Sequence, residues 1–316
     1  MTRSEAAAWL LAHDHFCILT HRNPDGDTIG CAVGLCRGLR SLGKTAHILS
    51  NPQFGPRYAQ WYDGLLCEEP AADDTIVSVD IASESLLPDN ARPLAGNIQL
   101  ALDHHGSNTG FAHCACVEPD LAACGELIYG ILRELHVHLT ADMASALYLA
   151  VSTDTGCFQY ANTTANTLRV AAELIDAGCE AYPINKEFFG TRSISRLRLE
   201  SRLTDSLEFF ADGKVALCHI PLSWMEELGL REEELDSISG FSRNVSGVQI
   251  GITIREQADG QQKVSLRTAS CANASAICAH LGGGGHKAAA GATVTASYEE
   301  VRAMVLDALR AEGIEV

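Results

Sequence analysis

The chain has 316 residues, of which 47% are hydrophobic and 20% charged, an ordinary globular composition with enough length for two domains. Forty acidic against 23 basic residues give a formal net charge of −17. That balance opposes the capture of long duplex nucleic acid, so a nucleic-acid ligand has to be short or held by a local basic cluster. No apolar run approaches the roughly 18 residues that read as a membrane span. The twelve cysteines are scattered through apolar stretches, as at Cys31, Cys36, Cys218 and Cys278, which suits free thiols in a reducing cytosol. Cys114 and Cys116 form a close pair but lack a second pair at zinc spacing.

In chain order, Ala6 to Ala12 reads as a first amphipathic helix, because Glu5 precedes it and no small-residue cleavage site follows. Phe16 to Thr20 is a short buried strand, Thr28 to Leu42 a helix, and Thr45 to Ser50, Thr75 to Val79 and Asn97 to Leu102 are further strands. Ala141 to Ser152 is a helix whose C-terminal loop delivers Asp154, and another helix runs near Thr164 to Ala177. Strands alternating with helical stretches predict an α/β domain over 1–185, with a mostly parallel sheet and helices on both faces. Residues 186–205 are richer in arginine and read as linker plus connecting helix. On that helix Arg192, Arg196, Arg198 and Arg202 form either a solvated face or a substrate path.

Beyond it, Lys214 to Ile220 is a strand, and Val248 to Glu256 with Gln261 to Thr268 form a hairpin around Asp259-Gly260. A helix from Ala274 to Leu281 runs into a glycine run, followed by a strand near Ala292 to Thr295 and a helix from Tyr298 to Ala311. Residues 206–316 thus predict a smaller α+β domain with a mixed sheet, and an active-site cleft is expected between the two domains.

The candidate ligands fall at the ends of the predicted strands, where open α/β sheets build their sites. His21, Asp25 and Asp27 follow the first strand, Asp80 ends the third, and Asp103, His104 and His105 end the fourth. Pro24 and Gly26 force a tight path that aims the first three into one cavity, although Asp-Gly alone is usually a solvated turn. Asp80, taken alone, reads as the N-cap of a helix starting at Ile81. Adjacent imidazoles behind an acid are poor core material: one can ligate a metal, the other can face substrate, and Asp103 can fix a tautomer. With Asp154 the ordered set suits two divalent cations, which lower the pKa of a bridging water and neutralise charge during in-line attack on phosphorus.

This ordered set resembles the DHH phosphoesterase superfamily, whose motif stands here as Asp103-His104-His105. The run Gly282-Gly283-Gly284-Gly285-His286-Lys287 resembles the GGGH signature of the DHH-associated domain. With Lys263 to Arg267, the pattern over nearly the whole chain is most similar to the two-domain nanoRNase and pAp phosphatase group. The resemblance implies one metal on His21, Asp25 and Asp80 and a second on Asp27, Asp80, His104 and Asp154, both manganese, with cobalt or magnesium as substitutes. It implies that His105 contacts the scissile phosphate and that Arg267, Gly283, Gly284, Gly285, His286 and Lys287 bind substrate. Glycine backbone can approach a phosphate closely, and His286 adds a donor. Cys31 stands where many relatives carry Ser or another small residue. The implied substrates are short RNA or DNA oligonucleotides, cut to 5′-mononucleotides, and pAp, converted to AMP, in a cytoplasmic homodimer with no membrane partner. Alternative readings are a cyclic or linear dinucleotide phosphodiesterase, and a catalytically silent nucleotide-binding regulator.

Overall fold

The parallel strand order of the N-terminal half creates a crevice before any functional side chain is placed. In the computed structural model, which describes residues 1–235, 238–269 and 271–316, the chain divides into two units, Met1–Thr191 and Arg192–Val316.

The first unit contains α1 (Arg3–Ala12), β1 (Phe16–Leu19), α2 (Gly26–Ser41), β2 (Ala46–Leu49), β3 (Leu66–Cys67), β4 (Thr75–Val79), β5 (Leu100–Asp103) and β6 (Cys114–Val117). It continues through α3 (Cys124–Glu134), α4 (Ala141–Asp154), α5 (Ala165–Asp176) and α6 (Ala181–Asn185), followed by a π-helical turn at Lys186–Gly190. Its six strands run in the order β3-β2-β1-β4-β5-β6, all parallel. That order reverses direction between β1 and β4, the place where doubly wound sheets open a crevice at their carboxyl ends.

Alternate residues of the strands, such as Phe16, Ile18, Ile48, Val77 and Leu100, join residues of α1 to α5 in one apolar core. The opposite residues, including Cys17, Leu19, Leu49 and Ile76, pack with Ile81, Leu87, Ala91 and Ile98. Helices are expected on both faces, and here the structure differs: the second face is covered by the segment 81–98, whose turns Glu84–Leu86 and Arg92–Leu94 are 3₁₀. Pro88 and Pro93 interrupt that segment, and proline cannot sit inside a longer helix without losing a hydrogen bond.

The second unit contains α7 (Ile194–Asp205), β7 (Glu208–Phe210), β8 (Val215–Ile220), α8 (Leu222–Leu228), β9 (Ile250–Glu256), β10 (Gln262–Thr268), α9 (Ala274–Ala279), β11 (Gly284–Gly285), β12 (Ala289–Val294) and α10 (Tyr298–Ala311). The sheet order is β11-β12-β10-β9-β8-β7, with β8 and β9 parallel and the other pairs antiparallel. The arginines of α7 are largely structural. Arg196 is buried and donates to Glu200 at 2.9 Å and to the Glu234 carbonyl, while Arg202 pairs with Glu227 at 2.7 Å.

Candidate metal centre

Asp25 caps α2, its side chain accepting from the N–H groups of Asp27 at 3.0 Å and Thr28 at 3.1 Å. The helix therefore begins two residues earlier than the predicted Thr28, because an aspartate cap satisfies the first orphan donors despite the glycine at Gly26. Asp27 enters the first turn buried. Its Oδ2 accepts from the Cys124 N–H at 2.7 Å, and its Oδ1 from the Gly125 N–H at 2.9 Å and the Cys31 thiol at 3.3 Å. Cys124 and Gly125 begin α3, so this carboxylate rests on the positive end of that helix. Gly30 lets α2 lie against α4: a Cβ there would sit 2.8 Å from the Ala150 Cβ and nearer still to the Ala146 carbonyl. The last residue of α4 is Asp154, which sequence reading placed in the following loop.

Asp80 leaves β4 with φ 59°, a left-handed backbone that a non-glycine residue rarely adopts. Its N–H donates to the Leu102 carbonyl at 2.9 Å, and the Thr28 hydroxyl donates to the Val79 carbonyl at 3.1 Å, which together hold the turn. The N-cap reading of Asp80 does not survive, since Ser83, rather than Asp80, precedes the short 3₁₀ turn that follows. The Asp80 side chain is 3% exposed and its Oδ1 has no hydrogen-bond partner. Its oxygens face different histidines: Oδ2 lies 3.7 Å from His21 Nε2, while Oδ1 lies 3.6 Å from His104 Nε2 and 3.5 Å from His105 Nδ1.

His21 Nε2 is also 3.5 Å from Asp25 Oδ1. His104 Nε2 is 3.7 Å from Asp27 Oδ2 and 3.5 Å from Asp154 Oδ2, while its Nδ1 meets the Leu121 carbonyl at 3.1 Å. With Nδ1–H donated to that carbonyl, Nε2 carries the lone pair that a metal would take. Ligand atoms of His21, Asp25 and Asp80 lie within 4.8 Å of one another, as do those of Asp27, His104 and Asp154, and those of Asp80, His104 and His105.

Burial pushes the Asp27, Asp80 and Asp154 carboxyls above their usual range, and neighbouring carboxylates add to the rise. Clustered acids with one orphaned buried oxygen, faced by imidazoles with free lone pairs, form a donor set that fits divalent cations.

Asp103 has a different surrounding. Its Oδ1 accepts from the His104 N–H at 2.8 Å, the His105 N–H at 3.2 Å and His105 Nδ1 at 2.8 Å, and its Oδ2 accepts from the Asn108 amide at 2.7 Å. Despite burial, these bonds hold its carboxyl below the usual range, and the same bond to Asp103 raises His105. Asp103 is thus fully engaged in orienting His105, whose Nε2 is left for another partner.

In the second unit, Arg267 pairs across the sheet with Ala289, and Gly285 with Ala290, so Arg267 and the glycine run lie at the same end of that sheet. Arg267 donates to Ser239 Oγ at 2.9 Å and to the Leu266 carbonyl at 2.9 Å. Gly284, Gly285, His286 and Lys287 are exposed. Gly283 has a packing requirement of its own, since a Cβ there would lie 2.6 Å from the Ala292 Cβ.

Sequence reading missed the supports: Asn108, the Leu121 carbonyl and the N-terminus of α3. For α3 a signal was present, because Leu127, Ile128, Ile131, Leu132 and Leu135 recur at helical spacing.

Residues 15–151 match the DHH family, N-terminal domain, and residues 213–312 match the DHHA1 domain. The chain is 35% identical over 300 residues to a bifunctional oligoribonuclease and PAP phosphatase NrnA of Thermus thermophilus, covering 93% of this chain and 89% of that protein. A protein of the same name from Bacillus subtilis is 23% identical, with 96% and 97% covered. Among solved structures, an exopolyphosphatase-related protein from Bacteroides fragilis superposes with a TM-score of 0.84 at 22% identity, covering 98% of this chain and 95% of the other. RecJ of Thermus thermophilus in complex with Mn²⁺ shares the fold at a TM-score of 0.53 and 16% identity, with 98% and 55% covered.

Proposed function

The chain belongs to the DHH family of phosphoesterases, and on that premise we propose that it hydrolyses very short oligonucleotides to 5′-mononucleotides and removes the 3′-phosphate from pAp. The observation that carries this reading is Asp80, one carboxylate whose two oxygens face two separate donor groups. His21, Asp25 and Asp80 would hold one cation, and Asp27, Asp80, His104 and Asp154 a second. Manganese suits the mixture of carboxylate and imidazole donors. When bound, the cations supply Lewis acidity toward phosphoryl oxygens and toward water.

The side chains of this chain supply the rest. Asp103 takes the Nδ1–H of His105, so the ring presents Nε2 to a phosphate oxygen, and its raised proton affinity keeps a donor there as charge develops. Asn108 holds Asp103 in that role. Arg267, Gly283, Gly284, Gly285, His286 and Lys287 are assigned to substrate binding by the C-terminal domain proposed over residues 206–316, with the segment 186–205 as connector. The identity with the Thermus thermophilus relative over both units supports the substrate assignment. All twelve cysteines are free, which supports a reducing cytoplasm, and a homodimer is the expected assembly. Among the described residues no helix is long and apolar enough to cross a membrane.

A panel of di- to pentanucleotides, pAp, pGpG, pApA and cyclic di-AMP, each with Mn²⁺, Co²⁺ or Mg²⁺, tests the reading. Mononucleotide release from short RNA together with AMP from pAp supports it. Turnover confined to the cyclic or the linear purine dinucleotides replaces it with a dinucleotide phosphodiesterase. Nucleotide binding without turnover under every ion makes the protein a regulator.

A further inference from the structure

A second group of metal-binding side chains sits on the first unit's sheet and shares no residue with the carboxylate-rich centre. Cys17 on β1 pairs with His47 on β2, and Cys67 on β3 pairs with Leu49, two residues beyond His47. Side chains of laterally paired residues, and of residues two apart on a strand, leave the same face of a parallel sheet. Cys17, His47 and Cys67 therefore share one face, and a ligand atom from each lies within 4.8 Å of the others.

His47 is held from behind. Its Nε2 meets Asp74 Oδ2 at 2.8 Å, an oxygen that also accepts from the Ala71 N–H at 2.7 Å, and the Asp74 side chain is 1% exposed. A carboxylate behind a histidine fixes its tautomer and raises its basicity, the usual support for a metal-ligating imidazole. With Nε2–H given to Asp74, Nδ1 keeps a lone pair.

Both cysteines are free, and their sulfurs lie within 4.8 Å of each other. A disulfide is a poor fit, because β2 lies between their strands. Two strand spacings of about 4.8 Å exceed the roughly 7 Å over which Cα atoms can be bridged. A cation bound to both sulfurs spans more. With Zn–S near 2.3 Å and tetrahedral angles, the sulfurs would sit about 3.8 Å apart, so the cage needs to close by no more than about 1 Å.

We propose that Cys17, His47 and Cys67 bind zinc(II), with a solvent ligand completing the tetrahedron beside the half-buried Cys67. Two thiolates and one imidazole are the soft donor set that selects zinc over manganese or magnesium. Binding releases the two thiol protons to solvent, and no oxidant or reductant is required. The ion would tie β3, a two-residue edge strand, to β2 and β1.

The test uses full-length, reduced protein titrated with cobalt(II), followed by zinc(II). A sulfur-to-cobalt charge-transfer band in the near ultraviolet reports thiolate ligation, which the carboxylate and imidazole centre cannot give. The band is expected to saturate, to disappear on adding zinc, to persist in Asp80→Asn, and to be lost in Cys67→Ser and in His47→Gln. No band at saturating cobalt, or a band that survives Cys67→Ser, overturns the site. Should Cys67→Ser fail to fold, X-ray absorption of zinc-loaded Asp80→Asn decides, with sulfur neighbours supporting the site and nitrogen or oxygen neighbours alone overturning it.

Discussion

Gly30→Ala sets two known effects against each other at the contact that brings Asp27 toward Asp154. In an exposed helix the change would stabilise by about 1 kcal/mol through backbone propensity. Here the new Cβ would lie 2.8 Å from the Ala150 Cβ and 2.9 Å from the Ala150 nitrogen. The tightest contact is with the Ala146 carbonyl oxygen at 2.2 Å, where carbon and oxygen settle near 3.3 Å, so α2 and α4 must part by about 1 Å at this point. Overpacking of this kind costs about 1–3 kcal/mol, which leaves a net loss of about 0–2 kcal/mol in urea denaturation. Asp27 lies three residues before Gly30, and Asp154 four residues after Ala150, so the separation reaches the site within about a turn. A misplacement approaching 1 Å can cost about 100-fold in rate. A 10- to 100-fold fall in dinucleotide turnover with weaker Mn²⁺ binding by calorimetry is expected. A variant stabilised by about 1 kcal/mol with native Mn²⁺ affinity would refute the claim that helix approach at Gly30 sets the ligand geometry.

Asp80→Gly removes both a left-handed non-glycine residue, which costs about 1–2 kcal/mol, and a buried carboxylate. In the presence of a chelator it should melt above the wild type, yet show no Mn²⁺-dependent rise in Tm and no turnover; an undiminished Mn²⁺ shift would end the bridging assignment. For the metal-free wild type, the raised carboxyls of Asp27, Asp80 and Asp154 contribute stability below the ordinary aspartate range, and it is lost as pH rises through their folded-state values. The Tm gain on adding Mn²⁺ should therefore grow from mildly acidic to neutral pH, and a flat difference between melting curves would contradict this. His105→Ala and Asn108→Ala should lower kcat with metal content preserved, the second by less, and metal loss on elemental analysis would make His105 a ligand. Arg267→Ala and His286→Ala should chiefly raise KM for dinucleotides, whereas a pure kcat loss would move those groups into the chemical step.

The loops that carry the proposed ligands were legible because the sequence marks strand ends sharply. Apolar Phe16 to Leu19, Thr75 to Val79 and Leu100 to Leu102 each run straight into acids or imidazoles. Asp80 was ambiguous for a physical reason: an aspartate before Ile81 to Leu87 has the local pattern of a helix cap, and only the Leu102 carbonyl, a long-range partner, selects the left-handed turn instead. Asn108 escaped notice because an asparagine five residues past an acid carries no signal until the loop folds back. The glycine run was read for phosphate approach, but the crowding of Gly283 against Ala292 belongs to a strand pairing that local sequence cannot display. The helix expected to start at Ile81 is instead a short 3₁₀ turn at Glu84–Leu86, and Pro88 bars its continuation.

The supports divide the proposed ligands into two kinds. Asp25 is fixed by the first N–H groups of α2, Asp27 by those of α3, and His104 by the Leu121 carbonyl, so these three are positioned without any cation. Asp80 has no such support on Oδ1, and its direction is set by a strained backbone held between Leu102 and Thr28. Preorganised ligands contribute affinity without an ordering cost, whereas an unpaired buried oxygen lowers the stability of the metal-free state, and binding relieves that penalty. It follows that thermal stabilisation by a divalent cation originates mostly at Asp80. Substitutions that disturb only the supports of Asp27 or His104 should loosen geometry and slow turnover while leaving much of that stabilisation in place.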